Sequence, residues 1–151
     1  LPTEVAHSTE KTVETPFGVN LNGVVEFGIK DVGIPCNDAD LEGHCARFWT
    51  IHTPAEADLK QLLDTLLAPM LAALPPEADE EVAGILKTST MSMEVRLEVV
   101  ADPANLMPYS FTENSLTTVV MQIPGEGTMA TGNTVATEAL FHWHTPVPTA
   151  P

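Results

Sequence analysis

The chain has 151 residues, the size of one domain. Six Lys plus Arg stand against 21 Asp plus Glu, a formal charge of −15. Such a surface repels phosphate backbones and anionic headgroups, which argues against nucleic-acid binding and against docking on a membrane through a basic patch.

No apolar run is long enough to cross a bilayer. The chain starts at Leu1 without Met, which fits a processed N-terminus or an engineered one. Residues 1–15 read as an extended arm or an edge strand, residues 16–144 as a single domain, and residues 145–151 as a proline-rich tail.

Val24 to Ile29 alternates as a strand, with Val25, Phe27 and Ile29 on one face. Cys36 and Cys45 flank a polar, turn-rich segment. Strands on either side would bring them to bridging distance, and the bridge would imply an oxidising compartment. Two free thiols are the other reading. Within that loop, Asp38, Asp40 and Glu42 alternate as calcium ligands often do, although an ordinary solvated turn has the same composition. Cys45 to Ile51 carries an aromatic on each face, which suits a central strand.

Thr53-Pro54-Ala55-Glu56 has the form of a capping box with proline at the first helical position. The leucines from Leu59 through Leu63, Leu67 and Leu74 follow spacings of three and four, so one amphipathic helix is expected over about 54–74. Pro69 should kink it or end it early, and a second short helix fits Glu77 to Leu86.

The remainder is β-rich. Met91, Met93, Val95, Leu97 and Val99 alternate with polar residues as a half-buried strand. Asp102-Pro103-Ala104-Asn105 reads as a turn, and Glu113-Asn114-Ser115 as another. Strands are expected from Met107 to Phe111, from Thr117 to Ile123, and from about Val135 to His144. The fold class is therefore α+β: a mainly antiparallel, curved sheet of about six or seven strands, with the helix on its concave face.

His142 and His144 would share a strand face two residues apart, a workable spacing for zinc or another metal. His44 and His52 lie near opposite ends of the central strand, and a three-histidine cluster would form if the last strand neighboured it. Outward polar histidines are the bland alternative. No nucleophile elbow, phosphate loop, dinucleotide fingerprint or His-Glu-x-x-His motif occurs, so nothing recommends an enzyme and no cofactor is required. The methionines either fill the core or line an adaptable apolar cavity.

Val95-Arg96-Leu97-Glu98-Val99, the turn at Asp102 and the Leu106-Met107-Pro108 step, followed by a meander, give the stretch from Met91 to Trp143 a likeness to known proteins. It resembles the C-terminal part of LolA/LppX-like bacterial lipoproteins. That resemblance implies an unclosed barrel with helices over its concave side, and carriage of lipids or lipoproteins. The cysteine hairpin, the helix placement and the missing lipidated N-terminal Cys depart from it. The functional expectation is an exported, non-enzymatic carrier of an apolar ligand, lined by Leu63, Leu67, Met91, Met93, Val95 and Leu97. A structural subunit that polymerises with copies of itself by strand addition of a terminal arm is the alternative, and a histidine-based metal binder the second. The protein would be secreted, periplasmic or on the cell surface.

Overall fold

The computed structural model describes residues 7–143. The elements are β1 (His7–Glu14), β2 (Asn20–Ile34), β3 (Cys45–Pro54), α1 (Glu56–Ala72), α2 (Asp79–Thr88), β4 (Thr90–Asp102), β5 (Met107–Ile123) and β6 (Gly127–Leu140). All six strands form one antiparallel sheet whose order follows the chain, β1-β2-β3-β4-β5-β6. The sheet is curved and unclosed, and the helices lie on one side of it. None of the described helices is long and apolar enough to cross a membrane.

The strands are long, reaching 17 residues in β5 against a usual five or six. β5 corrects the sequence reading. Glu113-Asn114-Ser115 is not a turn but the middle of one strand. Glu113 pairs with Leu97 on one side and Thr137 on the other. A ladder satisfied on both sides overrides the turn propensity of three polar residues. The last strand also shifts. It begins at Gly127 and ends at Leu140, so His142 lies beyond it.

Tight turns set the meander. Gly18 takes φ +76° between β1 and β2, where Thr15 N–H donates to Val19 O. Gly43, at φ +78°, admits close approach of β2's end: a Cβ there would lie 2.5 Å from Gly33 O. The β4–β5 turn is built by side chains. Asp102 Oδ1 accepts from Ala104 N–H at 2.8 Å and Asn105 Oδ1 from Met107 N–H at 2.9 Å.

The expected capping box does not form. Thr53 and Pro54 remain in β3, because a residue before proline is held extended. Ala55 is the N-cap and has no side-chain cap bond. The helix start is instead tied to β2. Ala55 N–H donates to Asn22 O at 2.7 Å, and Asp58 Oδ2 accepts from Asn22 N–H at 2.8 Å and Asn22 Nδ2 at 3.1 Å. Pro69 does not stop α1, which runs three residues past it.

Only the first half of the leucine stripe is buried against the sheet. Leu59, Leu62 and Leu63 are 1%, 6% and 7% exposed, whereas Leu66 and Met70 are 39% and 64% exposed. Leu59 and Leu62 close on Val19 and Leu21, with Val13, Met91 and Met93 packed around them. At the other end of the sheet Cys45, Ala46 and Ala101 are buried. The helix layer thus covers one end of one sheet face and leaves the rest bare.

Candidate ligand-binding face

Strand alternation and register divide the sheet into two chemically different faces. On the helix-bearing face, β2 presents Val25, Phe27 and Ile29, β3 Phe48, Thr50 and His52, β4 Val95, Leu97 and Val99, and β5 Phe111, Glu113 and Ser115. Val95 lies opposite His52, Leu97 opposite Thr50, and Val99 between Phe48 and Phe111. These side chains are half-buried by one another except Phe27, which is exposed. Beyond the helices they form a trough that is apolar along Ile29, Phe48, Val99 and Phe111 and is interrupted elsewhere by Thr50, His52, Glu113 and Ser115.

The opposite face carries Arg47, Trp49, Ile51, Glu94, Arg96 and Glu98. Its cations are paired: Lys30 Nζ lies 3.2 Å from Glu98, Arg47 3.3 Å from Asp31 and Arg96 3.5 Å from Glu94. Exposed pairs of this kind add little stability, but they keep that side of the sheet wet. In a chain of charge −15, the residues named on the helix-bearing face include one carboxylate, Glu113.

The expected ligand-lining residues do not converge on one chamber. Leu63 is spent in the core. Met91 and Met93 pack on the core cluster beneath α1. Leu67 faces an open cleft of about 320 Å³ between α1 and α2, with Leu71, Ala83 and Leu86, bordered by Lys60, Asp64 and Lys87. Val95 and Leu97 alone lie in the open trough. Packing fills the seam around Leu59 and Leu62, and an open cleft of about 430 Å³ bordered by Glu56, Lys60, Thr88, Met91 and Val120 lies at its edge.

His52 stands where the trough meets the helix end. Its ring rises over Gly23, where a Cβ would lie 3.0 Å from His52 Nε2, and Nε2 is buried without a hydrogen-bond partner. Burial holds its pKa below the ordinary histidine value, and the nearby Lys11 charge adds to that. The neutral imidazole is therefore the form that belongs here.

The disulfide between Cys36 and Cys45 is formed, with the two Cα atoms 5.0 Å apart. The loop it closes is organised by Asp40. Its carboxylate accepts from Cys36 N–H at 3.0 Å, His44 N–H at 2.8 Å and Gly43 N–H at 3.2 Å. Those bonds, that of His44 foremost, hold Asp40 far below the usual carboxylate range. Its oxygens are engaged by the backbone and by the His44 ring, and no group of three His, Cys, Asp or Glu suited to a metal gathers among the described residues.

His142 is exposed beyond β6, and His144 lies outside the described residues. β4 and β5 stand between β6 and β3, a separation of about 14 Å at the usual strand spacing. The last strand therefore does not bring His142 beside His52 on β3.

Sequence reading identified Val25, Phe27, Ile29, Val95, Leu97 and Val99 as sharing strand faces, but not that Phe48 and Phe111 join them. That information lies in register, which depends on bulges between Ile29 and Asp31, between Val32 and Ile34, and between Val100 and Ala101. The Asp40 hub had a visible signal in Asp40-Leu41-Glu42-Gly43, an acid before a glycine in a short loop. No protein-family model, curated protein or solved structure matches the chain.

Proposed function

We propose that this protein is an exported, non-enzymatic binder of an apolar, lipid-like ligand, held on the open trough beside α1. The observation that carries the reading is the contrast between the two sheet faces. One carries Val25, Phe27, Phe48, Val95, Leu97 and Phe111 around Thr50, His52 and Glu113, and the other carries three ion pairs beside Trp49 and Ile51. Apart from the exposed Phe27 these side chains are half-buried, and a ligand laid along them would complete their burial. That burial returns roughly 25 cal/mol per Å² of apolar area, which is the source of affinity for a chain-like ligand. The Cys36–Cys45 bridge supports an oxidising, extracytoplasmic setting.

The test is a binding screen of the delipidated protein against palmitate and phosphatidylcholine. Binding is expected in the wild type, lost in Leu97→Asp and kept in Arg96→Ala, whose side chain lies on the other face. Failure of every fatty acid and phospholipid to bind overturns the reading. A second reading, a subunit of a self-assembled structure, is favoured by the β6 edge, which no other described strand covers. In that reading residues 7–14 are already used within the chain as β1, so assembly falls to other segments.

A further inference from the structure

The two edges of the sheet differ in a way that selects a partner. β1 is eight residues long and carries Glu10, Lys11 and Glu14. Charges of this kind are the usual protection of an open edge. β6 is fourteen residues long and has no Lys, Arg or Pro, and a single charge at Glu138. Its register against β5 runs unbroken from Gly127 to Leu140. It is exposed almost throughout, including Met129 and Val135.

The ladder fixes which backbone groups face outward. Phe141 N–H donates to Tyr109 O at 2.9 Å, which makes Ser110 and Leu140 a non-hydrogen-bonded pair. Alternation then turns the N–H and C=O of the even-numbered residues from Thr128 to Leu140 away from β5. Most of their side chains are small, Ala, Gly or Thr, so a second strand can approach closely.

We propose that β6 is a dimerisation edge that pairs antiparallel with β6 of a second copy, about a two-fold axis at Thr134. Thr134 then faces its own counterpart, Gly132 faces Ala136, Ala130 faces Glu138, and Thr128 faces Leu140. Every outward backbone group from Thr128 to Leu140 gains a partner. The two Glu138 carboxylates fall eight residues apart along the strand direction, about 27 Å at 3.4 Å per residue. That is well beyond a Debye length of about 8 Å, so the strand's one charge does not oppose the contact in a molecule of charge −15. Addition of β1 from another copy would fit less well. It offers eight residues to fourteen and brings Glu10 and Glu14 into the seam. The two-fold contact uses one patch twice and closes at two chains. It stands whether or not the trough holds a ligand.

The test is the mass of the full chain by light scattering across a dilution series, for wild type, Thr134→Pro and Ala136→Lys. Proline at an even position removes an outward N–H and leaves the bonds to β5 in place. The lysine variant blunts the edge without touching the backbone. Wild type is expected at twice the 16.2 kDa chain mass, and each folded variant at 16.2 kDa. Register is read by cysteine: Thr134→Cys places equivalent Cα atoms about 5.5 Å apart, within bridging range, and should oxidise to a covalent dimer. Thr128→Cys should not. A 16.2 kDa wild type at every concentration, an open polymer, a dimer that survives Ala136→Lys, or bridging at Thr128 in preference to Thr134 overturns the proposal.

Discussion

The Asp40 carboxylate and the His44 imidazole lock the disulfide loop from inside, with Oδ1 2.6 Å from Nδ1 while Oδ2 takes the His44 backbone N–H. The side-chain bond and the Asp40 charge raise the His44 pKa above its ordinary 6.5. The folded chain therefore holds that proton more tightly than the unfolded chain. The pair's contribution is fully present below pH 6.5 and is lost as pH rises through the raised value. Asp40 acts in the other direction: its contribution is present above the ordinary 3.8 and is lost as pH falls toward its depressed value. Unfolding midpoints of wild type and His44→Ala should differ most between these limits and converge in alkali. A gap that widens in alkali would contradict the pairing.

His52 has the opposite linkage. Its pKa is lowered, first by burial, so the folded chain resists protonation. The stability of the wild type should decline as pH falls from 6.5 toward that lowered value, and His52→Gln should remove this component of the decline. An imidazole resonance for residue 52 that titrates above 6.5 would be the contrary result.

Gly23 is required by close approach. A Cβ there would lie 2.5 Å from Thr53 O and 2.8 Å from Pro54 Cα, both backbone atoms that cannot turn aside. Gly23→Ala is expected to cost about 1–3 kcal/mol in urea unfolding through overpacking. An unchanged midpoint would show that β2 and β3 separate more easily here than their register implies.

Leu106 is a bulky residue at φ +58°, with its side chain 71% exposed. It closes the β4–β5 turn through Leu106 N–H to Asp102 O at 2.7 Å. The left-handed conformation costs an L-residue about 1–2 kcal/mol, and little packing offsets it. Leu106→Gly should therefore raise the unfolding midpoint. A lower midpoint would mean that Leu106 makes contacts worth more than its strain.

Leu59→Ala should cost about 2–5 kcal/mol, because its side chain is 1% exposed at the centre of the helix–sheet seam. Met70→Ala, on the same helix but 64% exposed, should be near neutral. Equal losses would place the core elsewhere.

Local pattern carried much of this fold. The alternation from Met91 to Val99, the leucine spacing from Leu59 and the Cys36–Cys45 hairpin each appear in the structure as elements and a bridge. What pattern could not carry was pairing. Glu113-Asn114-Ser115 has turn chemistry, and only neighbours on both sides make it strand. The stripe from Leu66 to Met70 has core chemistry, yet Leu66 and Met70 stay exposed and Leu67 faces α2 rather than the sheet. Of the candidate ligand contacts, Val95 and Leu97 lie in the trough. Leu63 is buried in the core and Met91 and Met93 pack against it, a placement set by packing that is invisible in sequence.

The sequential order of the strands has a kinetic side. Every strand pairs with its chain neighbour across a short turn or loop, except β3 with β4, which are separated by residues 55–89. Closing that segment is the largest entropic hurdle in forming the sheet. The cluster of Leu59 and Leu62 with Leu21 on one side and Met91 and Met93 on the other bridges the two three-strand halves at that point. Truncating Leu62 to Ala is then expected to slow folding as well as hasten unfolding, whereas a change in the outer β5–β6 hairpin acts on unfolding alone. Chevron plots of the two variants would separate these effects, and equal folding rates would place the nucleus outside the seam.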